Sequence, residues 1–469
     1  MTPASGIPYN GDQITLDARV NSVLISEAPA RLTVELRTDK GIVKATVDAK
    51  SLDEAAWDSA KTVTRESLIR VSGSVSSPRH EALPDAKRKS STIATLTVTS
   101  LIILAHAKSD LIPFHQTPDL DLNARLNSRT LSFRHAGSAA ILRLHSGLCQ
   151  LIVEFLGSHD FHWIHAPRLI SHRVAGDKEY FHLPYFGRDA YLAQNSAYQG
   201  QMALSMDMGR VFDIGPAFRA EVKSEISGRH LTEFTVLGTG MVIEDDYHYV
   251  VDMMESMLLF VFKGLQERPQ YRAHIETIKK HYPAAREFRI GLDKHGKIPR
   301  ITFLEAKQLL RDELGLDTGY DQDLSEEEEA ALGRLFRSSP HLGQTDVFTI
   351  DQYPISCRPF NTHPSTVPNP RSNSPLQLAN AWDTIVGGRE ICSGSQRIHV
   401  YEDICAAMAA AGMGPDSAEW EPYREAFRAG MPRHGGIGLG VNRLLQGFLG
   451  LEDVREVTMF PRDVNRIAP

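Results

Sequence analysis

Between Arg210 and Met241 the chain reads RVFDIGPAFRAEVKSEISGRHLTEFTVLGTGM, with apolar residues recurring on either side of a polar centre, Val222 to Gly228, that ends in glycine. This spacing predicts two strands joined by a loop, and no other stretch restricts the fold as strongly. Side chains two apart on a strand share a face. Arg219 and Glu221 are therefore expected to point one way from the first strand, with His230, Thr232 and Phe234 converging on them from the second. An arginine fork suits phosphate oxygens, an aromatic ring suits a purine face, and a carboxylate accepts from an exocyclic amine, so ATP fits the whole set.

GPAFRAE followed by RHLTEF resembles the second signature motif of class II aminoacyl-tRNA synthetases, in the form found in aspartyl-tRNA synthetases of the archaeal and eukaryotic type. A salt-bridged hairpin would share that motif, but two further matches follow in the family's order. REICSGSQRIH, Arg389 to His399, resembles the magnesium strand, with Glu390 and Ser393 at the ion-holding positions. HGGIGLGVNRLLQ, from His434, resembles the third motif, a glycine-rich strand leading to a phosphate-binding arginine, here Arg443; Asn442 replaces the family's acidic residue. Upstream, Ile141, Leu144, Leu148, Ile152, Phe155 and Leu156 recur at helical spacing before a strand ending at Pro167. That segment resembles the first motif, which implies a homodimer.

The resemblance implies that Arg219, Glu221, Arg229, His230, Phe234, Glu390 and Arg443 bind ATP, that Arg219 and Arg443 are catalytic, and that Glu390 and Ser393 hold magnesium. It also implies that Arg397 reads the acyl side chain. The positions that grip the substrate's ammonium in the family correspond to Val174, Ala197 and Gly238, the pocket lysine to Gly200, and Gln201 is retained nearby. These small residues, with Gly240, are expected to leave room for a larger acid. Intact ATP residues beside an altered acyl pocket point to an adenylate-forming ligase acting on a carboxylic or non-standard amino acid and passing it to an acceptor. An aspartate-tRNA or asparagine-tRNA ligase, and a catalytically silent synthetase-like binding protein, stay open.

The first hundred residues carry five short alternating runs and one helical interruption near Leu52 to Ser59, a pattern that predicts a small barrel of the OB type. In the resembled family this barrel reads the tRNA anticodon. The stacking and base-reading positions correspond here to Thr33, Lys44 and Thr97, so the barrel is expected without its reading surface. The one basic cluster, Lys87 to Lys89, and a net charge of −7 do not advertise nucleic-acid binding. The expected organisation is α+β: an OB barrel over 1–108, a proline-containing hinge over 109–133, and a catalytic domain over 134–469 whose antiparallel sheet is flanked by helices. A polar helical insertion is expected over about 269–350. Its Glu326 to Glu329 run is expected to be a solvated helix start. Four cysteines without CxxC spacing are expected to be reduced, and the polar amino terminus and the lack of a membrane-length apolar run make a cytoplasmic protein, with no membrane partner, the expectation.

Overall fold

A computed structural model describes residues 11–38, 41–76, 95–108, 120–173, 179–221, 227–316, 318–367, 376–414 and 417–469. The chain packs as two units, Met1–Ile112 and Pro113–Pro469. In the first, β1 (Gln13–Glu27), β2 (Ala30–Thr38), β3 (Gly41–Asp48), β4 (Leu68–Ser76) and β5 (Thr95–Ala105) close a barrel in the order β1-β2-β3-β5-β4, with α1 (Glu54–Lys61) between β3 and β4. Alternation sends Leu32, Val34, Ala45, Val47, Leu96 and Val98 inward. Closure needs Gly73, where a Cβ would stand 2.0 Å from the Thr97 carbonyl oxygen. Thr33, Thr46 and Thr97 are register partners across β2, β3 and β5, with Lys44 opposite Thr95. No barrel strand carries Phe, Tyr or Trp. The Lys87 to Lys89 cluster lies outside the described residues.

The second unit opens with α2 (Leu122–Asn127) and α3 (Arg129–Ser132), inside the segment expected to be a hinge. These residues are anchored, because two buried arginines tie them to the end of the chain. Arg125 pairs with Glu456 at 2.7 Å, and Arg129 donates to the carbonyls of Arg455 and Met459, each at 2.8 Å, and to that of Thr458. Next come α4 (Ala136–Ser158), β6 (His162–Trp163), β7 (Leu169–Ile170), β8 (His182–Tyr185), β9 (Arg188–Leu192) and α5 (Ala197–Leu204). They are followed by β10 (Arg210–Phe218), β11 (Glu233–Val242), α6 (His248–Glu267) and α7 (Pro269–His281). The chain continues through β12 (Arg300–Thr302), α8 (Phe303–Leu314), α9 (Glu326–Ser338), β13 (Val347–Asp351), β14 (Ala381–Val386) and β15 (Glu390–Gln396). It ends with α10 (Tyr401–Ala410), α11 (Glu421–Arg428), β16 (His434–Gly440) and α12 (Val441–Leu449).

The main sheet runs β12-β13-β14-β15-β16-β11-β10-β6 and is antiparallel apart from its two edge pairings. Apolar faces of α4, α6 and α12 pack on it in one continuous core. Two expectations change here. The segment over 269–350 contributes β12 and most of β13 to the main sheet, so it is not wholly a separate insertion. The glutamate run at the start of α9 is only half solvated: helical periodicity turns Glu328 and Glu329 inward, where Glu328 meets Lys307 at 2.9 Å.

Arg129→Ala would leave three backbone carbonyls at the carboxy-terminal segment without their charged donor. Hydrogen bonds to charged groups contribute about 1.5–3 kcal/mol each, and the expected loss in the denaturant unfolding free energy is about 3 kcal/mol or more; a change near zero would show that the α3 anchor is dispensable.

Candidate active site

The two strands expected from the opening stretch form, but they stop short of the polar centre. β10 ends at Phe218 and β11 begins at Glu233, so Arg219, Glu221, His230 and Thr232 are not strand residues and the face-sharing argument does not place them. Other contacts do. The Arg219 amide bonds to the Thr232 carbonyl at 3.0 Å, the Ala220 amide to Glu179 at 2.8 Å, and the Thr232 amide to Arg462 at 2.9 Å. The segments that flank the loop are thereby held to neighbouring chain.

Arg219, Glu221, Arg229, His230, Phe234, Glu390, Ser393, Arg397, Ala197, Gly200, Gln201, Gly238 and Arg443 line a single cavity of about 300 Å³. Val174 lies outside the described residues. One end of the cavity is strongly cationic. Arg219 stands over the Phe234 ring, 5.7 Å from its centroid, Arg443 follows β16 at the start of α12, and Arg229 reaches in from the second arm of the loop. Burial lowers the pKa of Arg443, with the other arginines adding to the effect and Glu390 opposing it. Burial likewise holds His230 below the usual histidine range.

The acidic side is set by neighbours that spacing alone does not single out. Burial raises the Glu390 carboxyl, and the nearby Asp383 raises it further. Asp383 is the register partner of Ser393 and takes both arms of Arg358 at 2.8 Å, while Arg358 also donates to the Ser393 hydroxyl at 3.1 Å. An acid inside the apolar run AWDTIV is the one sequence sign of Asp383. Glu329, from α9, receives Arg229 at 2.7 Å and the Glu390 amide at 2.8 Å, and burial pushes it up to about 7. Asn442 is structural: its carbonyl takes the Thr235 amide at 2.8 Å and its amide donates to Thr458 at 3.1 Å, a two-way role that a carboxylate cannot fill.

At the other end sits Arg397, immediately after β15. Its side-chain hydrogen bond goes to the Asn361 carbonyl at 3.1 Å, and no carboxylate pairs with it among the described residues. Asn361 in turn donates to the Gln201 carbonyl at 3.0 Å, which also accepts the Tyr423 hydroxyl at 2.9 Å. His434 Nδ1 lies 2.8 Å from the Pro432 carbonyl and must donate to it, so Nε2 accepts from Gln201 Nε2 at 2.7 Å. Burial lowers His434 to about 4 and keeps the ring neutral. Gln201 is thus largely occupied by protein partners, and Arg397 is a deep-set cation in a neutral frame.

The expectation of extra room holds only in part. A Cβ at Gly200 would meet nothing within 4 Å, but one at Gly238 would stand 2.6 Å from the Ser196 hydroxyl and one at Gly240 3.2 Å from Leu204. Directly across from Gly238 in the strand register is Asp213, which lines the cavity and is paired with Arg168 at 2.5 Å.

Residues 121–464 match the family described as tRNA synthetases class II (D, K and N). The chain belongs to this class II synthetase family. It is 38% identical over 347 residues to the human cytoplasmic aspartate-tRNA ligase, covering 74% of this chain and 65% of that protein. It is 31% identical over 438 residues to the aspartate-tRNA(Asp/Asn) ligase of Methanopyrus kandleri, covering 93% of this chain and 92% of the relative. Among solved structures, an aspartyl-tRNA synthetase from Entamoeba histolytica superposes with a TM-score of 0.81 at 29% identity, over 98% of this chain and 90% of that one. The Pyrococcus horikoshii asparaginyl-tRNA synthetase complexed with asparaginyl-adenylate gives 0.81 at 25%, over 98% and 97%. The fold is that of class II synthetases, an α+β catalytic unit preceded by an OB-like barrel.

Arg397 has an immediate thermodynamic signature. Replacing a deep, unpaired charge by an apolar side chain of similar length is neutral or stabilising, so Arg397→Met should leave the ligand-free protein's stability unchanged or raise it by about 1 kcal/mol. A loss of about 3 kcal/mol, typical of breaking a buried ion pair, would mean that the arginine already has an anionic partner.

Proposed function

We propose that this chain is an ATP-dependent ligase that activates a dicarboxylic acid as its adenylate and passes the acyl group to an acceptor. The observation that carries the reading is the cavity's polarity: three arginines at the end that holds Phe234, and at the other end a fourth, Arg397, with no carboxylate paired to it among the described residues. A triphosphate answers the first set and the distal carboxylate of the acid answers the second. The reacting carboxylate is already a nucleophile, so no general base is required; the chain's task is to align it with the α-phosphorus and offset charge as pyrophosphate leaves. Phe234 offers a face to the adenine. The Glu390 carboxylate makes no side-chain hydrogen bond among the described residues, and with the Ser393 hydroxyl it is a hard oxygen pair of the kind that suits magnesium bound to substrate phosphates. Bound there, the ion would help neutralise the phosphate chain.

Among the described residues, the positions expected to grip an ammonium group are poorly suited to it, and this distinguishes the acid. Ala197 and Gly238 supply no side-chain acceptor, Gln201 is largely occupied, and Asp213 is already neutralised by Arg168. Leaving a buried charge unpaired costs about 3–5 kcal/mol, so an acid without an α-ammonium is favoured over aspartate by roughly a hundredfold or more. Aspartate-tRNA or asparagine-tRNA ligase activity is the second reading, favoured by the identity to ligases of those names. If tRNA is the acceptor, the barrel's aromatic-free strands favour binding that is indifferent to the anticodon bases. The chain is also proposed to act in the cytoplasm as a homodimer. β6 lies at the sheet edge with Trp163 46% exposed, and Leu169, Tyr185 and Met206 are also exposed apolar residues.

Pyrophosphate exchange tests the chemistry. Arg219→Ala and Arg443→Ala should each reduce exchange by about a hundredfold or more, since removing a transition-state charge partner costs about 3 kcal/mol. Succinate should outperform L-aspartate; efficient exchange with sub-millimolar aspartate would return the chain to the aspartate-tRNA ligase reading, and no exchange with any acid despite ATP binding would favour a silent protein. For the assembly, Trp163→Glu should convert the species seen by sedimentation from dimer to monomer, and a wild-type monomer would refute the dimer.

A further inference from the structure

Beside the active-site cavity lies a second one of about 430 Å³, and Arg229 lines both. Four of its lining residues are arginines, Arg229, Arg286, Arg334 and Arg389, against two glutamates, Glu326 and Glu452. Arg229 spends one arm on Glu329 at 2.7 Å, and the other three arginines are weakly matched or unmatched among the described residues. Glu326 takes the Ser227 hydroxyl at 3.1 Å and stands 3.8 Å from Arg229, whose buried Nε has no hydrogen-bond partner. Arg286 has only long contacts, 3.4 Å to the Gly387 carbonyl and 3.6 Å to Asp346, a carboxylate that Arg337 also holds. Arg334 and Arg389 have no side-chain hydrogen bond or ion pair among the described residues. Burial lowers the Arg389 pKa, the neighbouring Arg229 and Arg286 lower it further, and Glu326 and Glu452 oppose them without cancelling the shift.

The walls are built by close backbone contact. A Cβ at Gly333 of α9 would lie 2.4 Å from the Gly388 Cα, and one at Gly228 2.8 Å from the Glu452 carbonyl. The helix, the β14–β15 turn and the segment after α12 are thereby held together around the arginines. Guanidinium forks converging on a small cavity suit tetrahedral phosphate oxygens, and clustered like charges gain most from a multiply charged anion.

We propose that this cavity is a second anion site for inorganic oligophosphate, which receives pyrophosphate through Arg229 as it leaves the triphosphate end of the active site. The identity of the ligand rests on the adenylating reading above; the existence of the site does not. The proposal makes Arg229 the shared wall across which the product moves, and it gives α9 a role in product release.

Calorimetric titration of inorganic pyrophosphate in EDTA into the full chain tests this without any turnover. The wild type should show two sites per chain. Arg334→Ala with Arg389→Ala should weaken one of them at least tenfold and leave the other, whereas Arg219→Ala should do the reverse. An Arg334→Lys, Arg389→Lys variant, which keeps the charge, and matched thermal melts separate loss of the site from misfolding. A site lost in the alanine pair and kept in Arg219→Ala supports the proposal even if adenylation fails. No pyrophosphate binding, or only a site sensitive to Arg219→Ala and indifferent to the pair, overturns it. Weakened RNA binding in the pair with an unchanged pyrophosphate titration also overturns it, in favour of a nucleic-acid contact.

Discussion

The close approach of β16 to its two neighbours is the constraint on which the second unit depends. Gly436 carries no Cβ because one would stand 2.0 Å from the Thr239 carbonyl oxygen, and one at Gly435 would stand 3.1 Å from the Ser395 carbonyl oxygen. Only a glycine-rich strand can lie this tightly between β11 and β15. With it in place, Gly438 pairs with Gly238 on one side and Ser393 on the other, and the chain runs directly into α12 and Arg443. The cavity floor is therefore mostly backbone, and its chemistry comes from side chains at the strand ends and in the adjoining segments.

Those side chains are arranged against the stability of the empty protein. Arg219 and Arg443 crowd one end of the cavity beside Arg229, which Glu329 holds, and Arg397 has no carboxylate partner among the described residues at the other, while hydrophobic contacts among α4, α6, α12 and the sheet supply the compensating energy. Charges that repel one another in the free protein would be drawn together by a polyanion, so on the proposed function ligand and fold are coupled by electrostatics more than by shape. Neutral hydrogen-bonded partners, Asn361, Gln201, Tyr423 and His434, hold Arg397 in place without quenching it.

Much of this was legible in the sequence, where local pattern and local chemistry coincide. The barrel strands alternate cleanly, and the motif residues are tied to glycines, aromatics and arginines whose spacing is short. What spacing cannot show is contact across the fold. Glu329 looks like one more charge in an acidic run, and only the packing of α9 turns it toward Arg229 and Glu390. Asp383 is hidden in an apolar strand, and Asn361 and Tyr423 come from segments without a motif. The proline-containing stretch read as a hinge turned out to be helical from Leu122, because the partners of Arg125 and Arg129 lie more than three hundred residues away. Small residues at Gly238 and Gly240 suggested space that Ser196 and Leu204 in fact fill.

On the proposed function, Glu329 ties nucleotide binding to protonation. Burial pushes its carboxyl up to about 7, the Glu390 charge adds to this, and Arg229 works against both. A phosphate chain arriving beside it adds negative charge and draws on Arg229, the cation that favours its ionised form, and both effects move the group toward protonation. On that reading, association draws a proton toward Glu329, and its apparent enthalpy would carry the ionisation heat of whichever buffer supplies it.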